Sequence, residues 1–247
     1  MRVLNNADFL ALWESGQRLR PLDRGLLALC ASLPAESGAA VADWPLGRRN
    51  QALAELRALY FGPRLQGWTT CSQCGEKLEF EIDCRNLIQR QENSAVNPGQ
   101  PIVVDGHVFR LPTSRDLARI ANEEDSQQGA LRLLRDCELG FSKSEETVSL
   151  DLPQGSLSLD DLAAVSEQMA LADPLAEIAL GFECPNCTNA TEEVLDLSTF
   201  LWTEIESRAK RLLFEIHALA SAYGWEESQI LAMSDMRRTS YLQMVHG

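Results

Sequence analysis

The chain is short of histidine, of long apolar runs and of basic charge, and each shortage removes a class of function. Only three histidines occur in 247 residues: His107, His217 and His246. The His-Glu-x-x-His pattern of a helix-borne metalloprotease is absent, and so are Gly-x-Ser-x-Gly, a phosphate loop and a Rossmann fingerprint. Glu215 and His217 are two residues apart and point to different helix faces. No catalytic group or small-molecule substrate is indicated, and a non-enzymatic protein is expected. No stretch approaches the roughly eighteen apolar residues of a membrane span. Residues 1–6 lack the charged-then-apolar pattern of a signal segment. Synthesis and residence in the cytoplasm are expected, with no membrane partner.

Basic charge is scarce where it would matter. The formal net charge is −14. Residues 1–70 hold eight Arg against six Asp/Glu, and residues 199–247 hold five Lys/Arg against six, which leaves −15 to residues 71–198. A segment so acidic repels a nucleic-acid backbone. Two Cys-x-x-Cys pairs, Cys71/Cys74 and Cys184/Cys187, have the spacing of a metal-binding knuckle, and knuckles that grip nucleic acid carry basic and aromatic residues around the metal. Here Glu76, Glu79, Glu81, Glu183, Glu192 and Glu193 stand in those places. No nucleic-acid partner is expected.

What the chain does have is two Cys-x-x-Cys pairs, Cys71/Cys74 and Cys184/Cys187. Two thiolates on one tight turn form half of a tetrahedral four-sulfur site, and two such turns complete it. The expected cofactor is one structural zinc, because four protein sulfurs leave no open position for water or substrate. A redox pair is the alternative for either motif alone. Such pairs usually open a helix, whereas strand-like segments, residues 77–82 and 192–195, follow these. Seven cysteines, an odd number, argue against a secreted disulfide framework. Cys30 and Cys137 read as small core residues on helices. Cys84 is left as a possible replacement ligand, ten residues beyond Cys74.

The two pairs conceal a repeat. With Cys71 set on Cys184 and no gaps, Cys74 meets Cys187, Ile82 meets Leu195, Asp83 meets Asp196 and Leu87 meets Phe200. Each copy runs pair, turn, short strand, capping Asp, apolar helix start. The fold class expected is α+β, mostly helical: a split four-cysteine zinc ribbon with a large insertion and helical N- and C-terminal parts. Three segments follow, residues 1–66, 67–198 and 199–247.

Within 1–66, helices are expected over 7–14, from Pro21 through Cys30, and over 48–61, with 31–44 as a loop. Residues 87–91 read as a brief helix and 93–101 as a polar linker. Asp105-Gly106 between two β-rich triplets is a two-residue hairpin signal. Helices are expected from Thr113-Ser114 and over 129–139, with an acidic excursion at 143–152. Ser158 is placed as a cap, and Asp173-Pro174 as the restart of a helix toward Leu180. The longest helix is expected over 198–223. Its stripe includes Leu201, Ile205, Ala209, Leu212, Ile216 and Leu219, and Gly224 stops it. Two short helices follow, the second capped by Asp235.

Trp202, His217, Trp225, Arg237 and Arg238 flank the long helix and its hairpin. Either the aromatics close a helical core, or the group docks a partner, since aromatics and Arg dominate interface hot spots.

Several blocks together carry a resemblance. They are Phe9-Leu10-Ala11-Leu12-Trp13-Glu14 with Pro21-Leu22-Asp23-Arg24, the first Cys-x-x-Cys-Gly with Leu78-Glu79-Phe80, and the second Cys-Pro-x-Cys. The tail adds Phe200-Leu201-Trp202-Thr203-Glu204-Ile205, residues 212–220, Tyr223-Gly224-Trp225, Ile230-Leu231, Arg237-Arg238 and Tyr241-Leu242. In this order they resemble a baseplate-associated family of phage tails and extracellular contractile injection systems, related to the baseplate hub assembly proteins of T-even phages. The resemblance implies a structural or assembly component whose partners are other tail and baseplate proteins. A cytoplasmic zinc-ribbon adaptor or regulator, with protein or nucleic-acid partners, is the alternative. Thr188 stands where such a turn often has Gly, which bears on backbone geometry and not on ligands.

Overall fold

The computed structural model describes residues 1–34, 36, 38–92, 100–143, 147–149 and 159–246. Most of the expected linker, most of the acidic excursion and the expected cap Ser158 lie outside the described residues. In chain order the first helices are α1 (Asn6–Gly16), α2 (Pro21–Ser32), α3 (Gly38–Ala42) and α4 (Leu46–Phe61). Strands β1 (Arg64–Thr70) and β2 (Lys77–Asp83) then lead into α5 (Cys84–Glu92). Next come β3 (Ile102–Val104), β4 (His107–Phe109), α6 (Ser114–Ile120), α7 (Ser126–Cys137), β5 (Glu138–Lys143), β6 (Thr147–Ser149) and α8 (Leu159–Ala172). Strands β7 (Ala179–Glu183) and β8 (Ala190–Val194) lead into α9 (Leu197–Tyr223), α10 (Glu227–Leu231) and α11 (Asp235–His246). The fold is α+β and mostly helical, with small sheets. Two compact units form: Met1–Glu36 with Leu197–Gly247, and Ser37–Asp196.

The first unit is helical and is built on α9. Its stripe Leu201, Ile205, Ala209, Leu212, Ile216 and Leu219 is buried, as its spacing demands. Helices α1, α2, α10 and α11 pack on it. Leu10 and Ile230 complete one apolar cluster with the C-terminal half of the stripe. Asn5 caps α1 by accepting from the Asp8 N–H at 2.9 Å. Ser234, rather than Asp235, caps α11: its Oγ accepts from the Arg237 N–H at 3.3 Å, and Asp235 is already the first helical residue.

The second unit carries three antiparallel sheets, β1-β2, β3-β4-β5-β6 and β7-β8. The hairpin at Asp105-Gly106 forms with both residues at positive φ, 49° and 84°, which is the backbone of a type I′ turn. Phe109, Leu111, Leu134, Cys137, Val165 and Met169 make the apolar cluster beneath it. Arg110 donates to both Asp116 carboxylate oxygens at 2.6 and 2.9 Å. Asp116 also accepts from the Thr113 N–H and Oγ1–H, tying the start of α6 to this pair.

The structure corrects several expected elements. Residues 38–42 of the expected loop form the one-turn helix α3. Helix α5 starts at Cys84 rather than Leu87, because Asp83 accepts from the Arg85 N–H at 2.9 Å and caps it three residues early. Asp173-Pro174 does not restart a helix. Helix α8 ends at Ala172, and the Asp173 carboxylate accepts from the Gly47 N–H at 2.8 Å and Gln91 Nε2 at 2.9 Å. That engagement, with Leu175 and Ile178 fully buried, holds the chain in turns up to β7.

Candidate metal centre

Each cysteine pair sits on the turn of a two-stranded ribbon. In the first, β1 pairs with β2 from Arg64↔Asp83 to Thr70↔Lys77. In the second, β7 pairs with β8 from Ala179↔Val194 to Glu183↔Ala190, which is the same register moved along by the offset between the cysteine pairs. The turns match bond for bond. The Cys71 N–H donates to Glu76 O and the Gly75 N–H to Cys71 O, at 2.8 and 2.9 Å. The Cys184 N–H donates to Asn189 O and the Thr188 N–H to Cys184 O, at 3.0 and 2.8 Å. Gly75 has φ 75° and Thr188 φ 56°, so Thr188 adopts the left-handed conformation that Gly75 reaches without steric cost. Each ribbon then runs through one Asp, Asp83 or Asp196, into a helix at the equivalent position, Cys84 or Leu197. The repeat in the sequence is a repeat in the backbone.

These turns bring four remote sulfurs together. Cys71 Sγ lies 3.6 Å from Cys187 Sγ, and Cys74 Sγ lies 3.6 Å from Cys184 Sγ. All four sulfurs lie within 4.8 Å of one another. A disulfide needs about 2.0 Å, so these are free thiols. Sulfurs held about 2.3 Å from one zinc at tetrahedral corners are about 3.8 Å apart. The spacing fits a four-thiolate ion site, and the four cysteines could hold a metal ion. Cys71 and Cys184 are buried, Cys187 is half-buried and Cys74 is exposed. Leu78 and Phe182 pack against the sulfurs, and the Phe182 ring lies 5.6 Å from that of Phe80.

The electrostatics leave the sulfurs in conflict without a cation. The N–H groups of Cys74 and Gln73 point at the Cys71 sulfur and hold its thiol down at about 6. At Cys187 the Asn189 N–H favours the thiolate, but burial and the thiols of Cys74, Cys71 and Cys184 outweigh it and push the value to about 12. One thiolate forms readily and then opposes the next. A divalent cation removes that opposition.

The other cysteines stand apart. Cys84 is fully buried in the first turn of α5, where its N–H donates to Pro63 O at 2.8 Å, and it is not in the sulfur group. Cys137 is buried under the hairpin, and burial pushes its thiol up to about 12. Cys30 is half-buried, and burial raises its thiol as well.

The five aromatic and basic candidates of the C-terminal part separate. Trp202 is buried, with the Arg24 guanidinium 5.1 Å from its ring centroid. A Cβ on Gly16 would lie 2.0 Å from the Trp202 ring, so Gly16 makes the room for it. Arg238 is buried between Glu215 at 2.6 Å and Asp235 at 2.9 Å. Trp225 is half-buried and stacks on Tyr223, with centroids 4.5 Å apart, and edge-on to Tyr241. His217 and Arg237 are exposed, and Arg237 lies 5.7 Å from the Tyr241 ring centroid.

The sequence reading missed β1 and β7, the strand that precedes the cysteine pair in each ribbon. Their burial alternates, but their residue types do not: the exposed positions include Trp68, Ala179 and Gly181, and the inward ones include Gly67 and Thr69. The offset between the cysteine pairs was the available signal, since it holds upstream of the cysteines as well as downstream.

A family model described as T4 bacteriophage base plate protein matches residues 30–202, a stretch that includes both ribbons and all four clustered cysteines. The chain belongs to that family. The match ends at Trp202, so most of α9 and the two helices after it lie beyond the matched residues, as do α1 and most of α2 before them. No curated protein and no solved structure matches the chain. Among the described residues no helix is long and apolar enough to cross a membrane.

Proposed function

We propose that this chain is a structural or assembly component of a contractile phage-tail-like particle, acting in the baseplate or hub region and stapled by one structural zinc. The observation that carries the proposal is the family match over residues 30–202, within which both cysteine-bearing ribbons fall. The zinc is bound by Cys71, Cys74, Cys184 and Cys187. Thiolate ligands at this spacing favour zinc among common divalent ions, and a closed shell of four sulfurs serves folding rather than catalysis. The ion joins two turns with 109 residues between them in the chain, where a cross-link removes much unfolded-state entropy.

The partners are other tail and baseplate proteins. His217, Trp225 and Arg237 are the exposed or half-exposed members of the set proposed for docking. Trp202 and Arg238 support that surface from inside the helical unit, by filling it and by pairing its charges.

The test is recovery of the tagged full chain from a host producing the particles, with mass spectrometry of what accompanies it. Tail or baseplate proteins are expected, and His217→Ala with Arg237→Glu is expected to reduce their recovery while the zinc content stays the same. Recovery with soluble enzymes or nucleic acid, and none with tail proteins, would replace this function with that of a cytoplasmic adaptor.

A further inference from the structure

A second group of buried polar side chains joins the two cysteine ribbons without using sulfur. The first ribbon is flanked by α4, which enters β1 through Gly62-Pro63, and by α5, which leaves β2. The second ribbon is entered through residues 173–178. Three side chains tie these flanks together. The Asp173 carboxylate accepts from the Gly47 N–H of α4 at 2.8 Å and from Gln91 Nε2 of α5 at 2.9 Å. Gln91 Oε1 accepts from the Leu175 N–H at 3.3 Å. Asn50 Nδ2 of α4 donates to Leu175 O at 2.7 Å and Ala176 O at 3.3 Å. Arg49 holds Asn50 in this pose, donating to its Oδ1 from Nε and Nη2 at 3.1 and 2.8 Å.

The group is sequestered. Asp173 is 1 % exposed, Asn50 and Gln91 6 % and Arg49 7 %. The backbone is shaped to admit it, since a Cβ on Gly47 would lie 1.7 Å from Asp173 Oδ1. Burial raises the Asp173 carboxyl and lowers the Arg49 guanidinium, so both groups are held against their own hydration preference. Separating the flanks takes partners from a buried carboxylate, two amides and four backbone groups. That penalty makes such a network two-state: closed with every member paired, or open and solvated.

We propose that the cluster around Asp173, with Asn50 and Gln91, is a metal-independent clasp that holds the two remote cysteine pairs in register before an ion binds. The proposal rests on the metal site described above and concerns how that site is presented. Four thiols already within 4.8 Å bind an ion as one preformed site. Two pairs on a free chain of 109 intervening residues must first find each other. Asp173, Asn50 and Gln91 touch no sulfur and are positioning residues.

The test compares wild type with Asn50→Ala, Gln91→Ala and Asp173→Ala in the full chain, reduced and stripped by a chelator. Mild oxidation followed by peptide mapping reads which sulfurs are neighbours. The wild-type apo-protein is expected to give disulfides between ribbons, Cys71 with Cys187 and Cys74 with Cys184. The variants are expected to shift toward pairs within a ribbon, Cys71 with Cys74 and Cys184 with Cys187. Zinc affinity, read by competition with a chromophoric chelator, is expected to fall about 10- to 100-fold in the variants with one ion per chain retained. Gln91→Ala, the mildest change, keeps the comparison possible if Asp173→Ala fails to fold. Within-ribbon pairs in wild-type apo-protein, or unchanged affinity in folded variants, would overturn the clasp. A wild-type chain that binds no zinc yet still yields between-ribbon disulfides would leave the clasp standing and remove the metal from the proposed function.

Discussion

The two compact units solve the same problem with different materials. The helical unit of the chain ends buries one continuous stripe of α9 under four other helices, and it is close to neutral, with nine Lys/Arg against ten Asp/Glu. The 37–196 unit carries the remaining −13 of the net charge. It has three small sheets in place of one continuous stripe, and the apolar cluster under the hairpin is separate from the one beside the sulfurs. Burial contributes about 25 cal/mol per Å² of apolar surface, and the two-stranded sheets, exposed along much of their length, gain little from it. Such a unit leans on specific links: the sulfur group, the Asp173 cluster and the Arg110–Asp116 pair. Loss of one link should therefore be severe in the second unit and silent in the first.

The largest expected effect is that of metal loss. Chelation, or Cys184→Ser with Cys187→Ser, should lower the melting temperature and loosen the two turns at 71–76 and 184–189, while the Asp173 cluster and the α9 helices keep their protection from hydrogen exchange. Structural zinc in small domains contributes on the order of 10 kcal/mol at neutral pH. Metal analysis of protein purified without added metal should give about one zinc per chain, and about none in the double variant. Unchanged melting after the metal is stripped would show that the sulfurs are not a staple.

The complementary change lies in the other unit. Leu212→Ala removes a fully packed member of the α9 stripe, and Trp202→Ala empties the space that Gly16 leaves for it. Each should cost about 3–5 kcal/mol, read by denaturant unfolding, with zinc stoichiometry unchanged. Altered zinc content in Leu212→Ala would show that the units do not respond separately.

Asp116→Asn should cost about 3 kcal/mol, because it leaves Arg110 without its buried partner. The pH dependence has a definite sign. Burial opposes the Asp116 charge, but the bonds from Arg110 and Thr113 outweigh it and hold the carboxyl below its ordinary 3.8. The stabilisation is therefore complete above 3.8 and lost as pH falls through the lower folded value. The gap between wild type and Asp116→Asn should shrink below that point, and an equal gap at all pH values would contradict the pairing.

Much of this organisation was legible because it is periodic or local. The α9 stripe repeats at helical spacing, Asp105-Gly106 allows few turns, and each Cys-x-x-Cys pair announces a tight turn. What stayed hidden was non-local. Nothing in residues 6–32 says that they pack on a helix beginning at Leu197, because an apolar face does not name its partner. Asp173-Pro174 looked like a helix start, since Asp before Pro caps helices in isolation. The carboxylate is instead spent on Gly47 and Gln91, which are 126 and 82 residues away. Trp202 and Arg238 stood out in the sequence as docking candidates, but both are buried, and burial, which the sequence does not display, decides whether a side chain faces a partner or the core.

The smallest expected effect compares the two ribbons with each other. They share register, turn hydrogen bonds and exits, and they differ where Gly75 faces Thr188. At φ 56° a β-branched side chain crowds its own backbone, at a cost of about 1–2 kcal/mol relative to glycine. The Thr188 hydroxyl returns part of that by donating to Cys187 O at 2.7 Å. Thr188→Gly should therefore stabilise the second turn by no more than about 1 kcal/mol, since glycine also gains freedom in the unfolded chain. Gly75→Thr should destabilise the first by about the same amount. Both are read as shifts in the midpoint of zinc release under a competing chelator, with stoichiometry constant. If Gly75→Thr loses the metal outright while Thr188→Gly changes nothing, the turns are alike in geometry but not in tolerance. The first would then be the rigid half of the site, and the second the half that adapts to it.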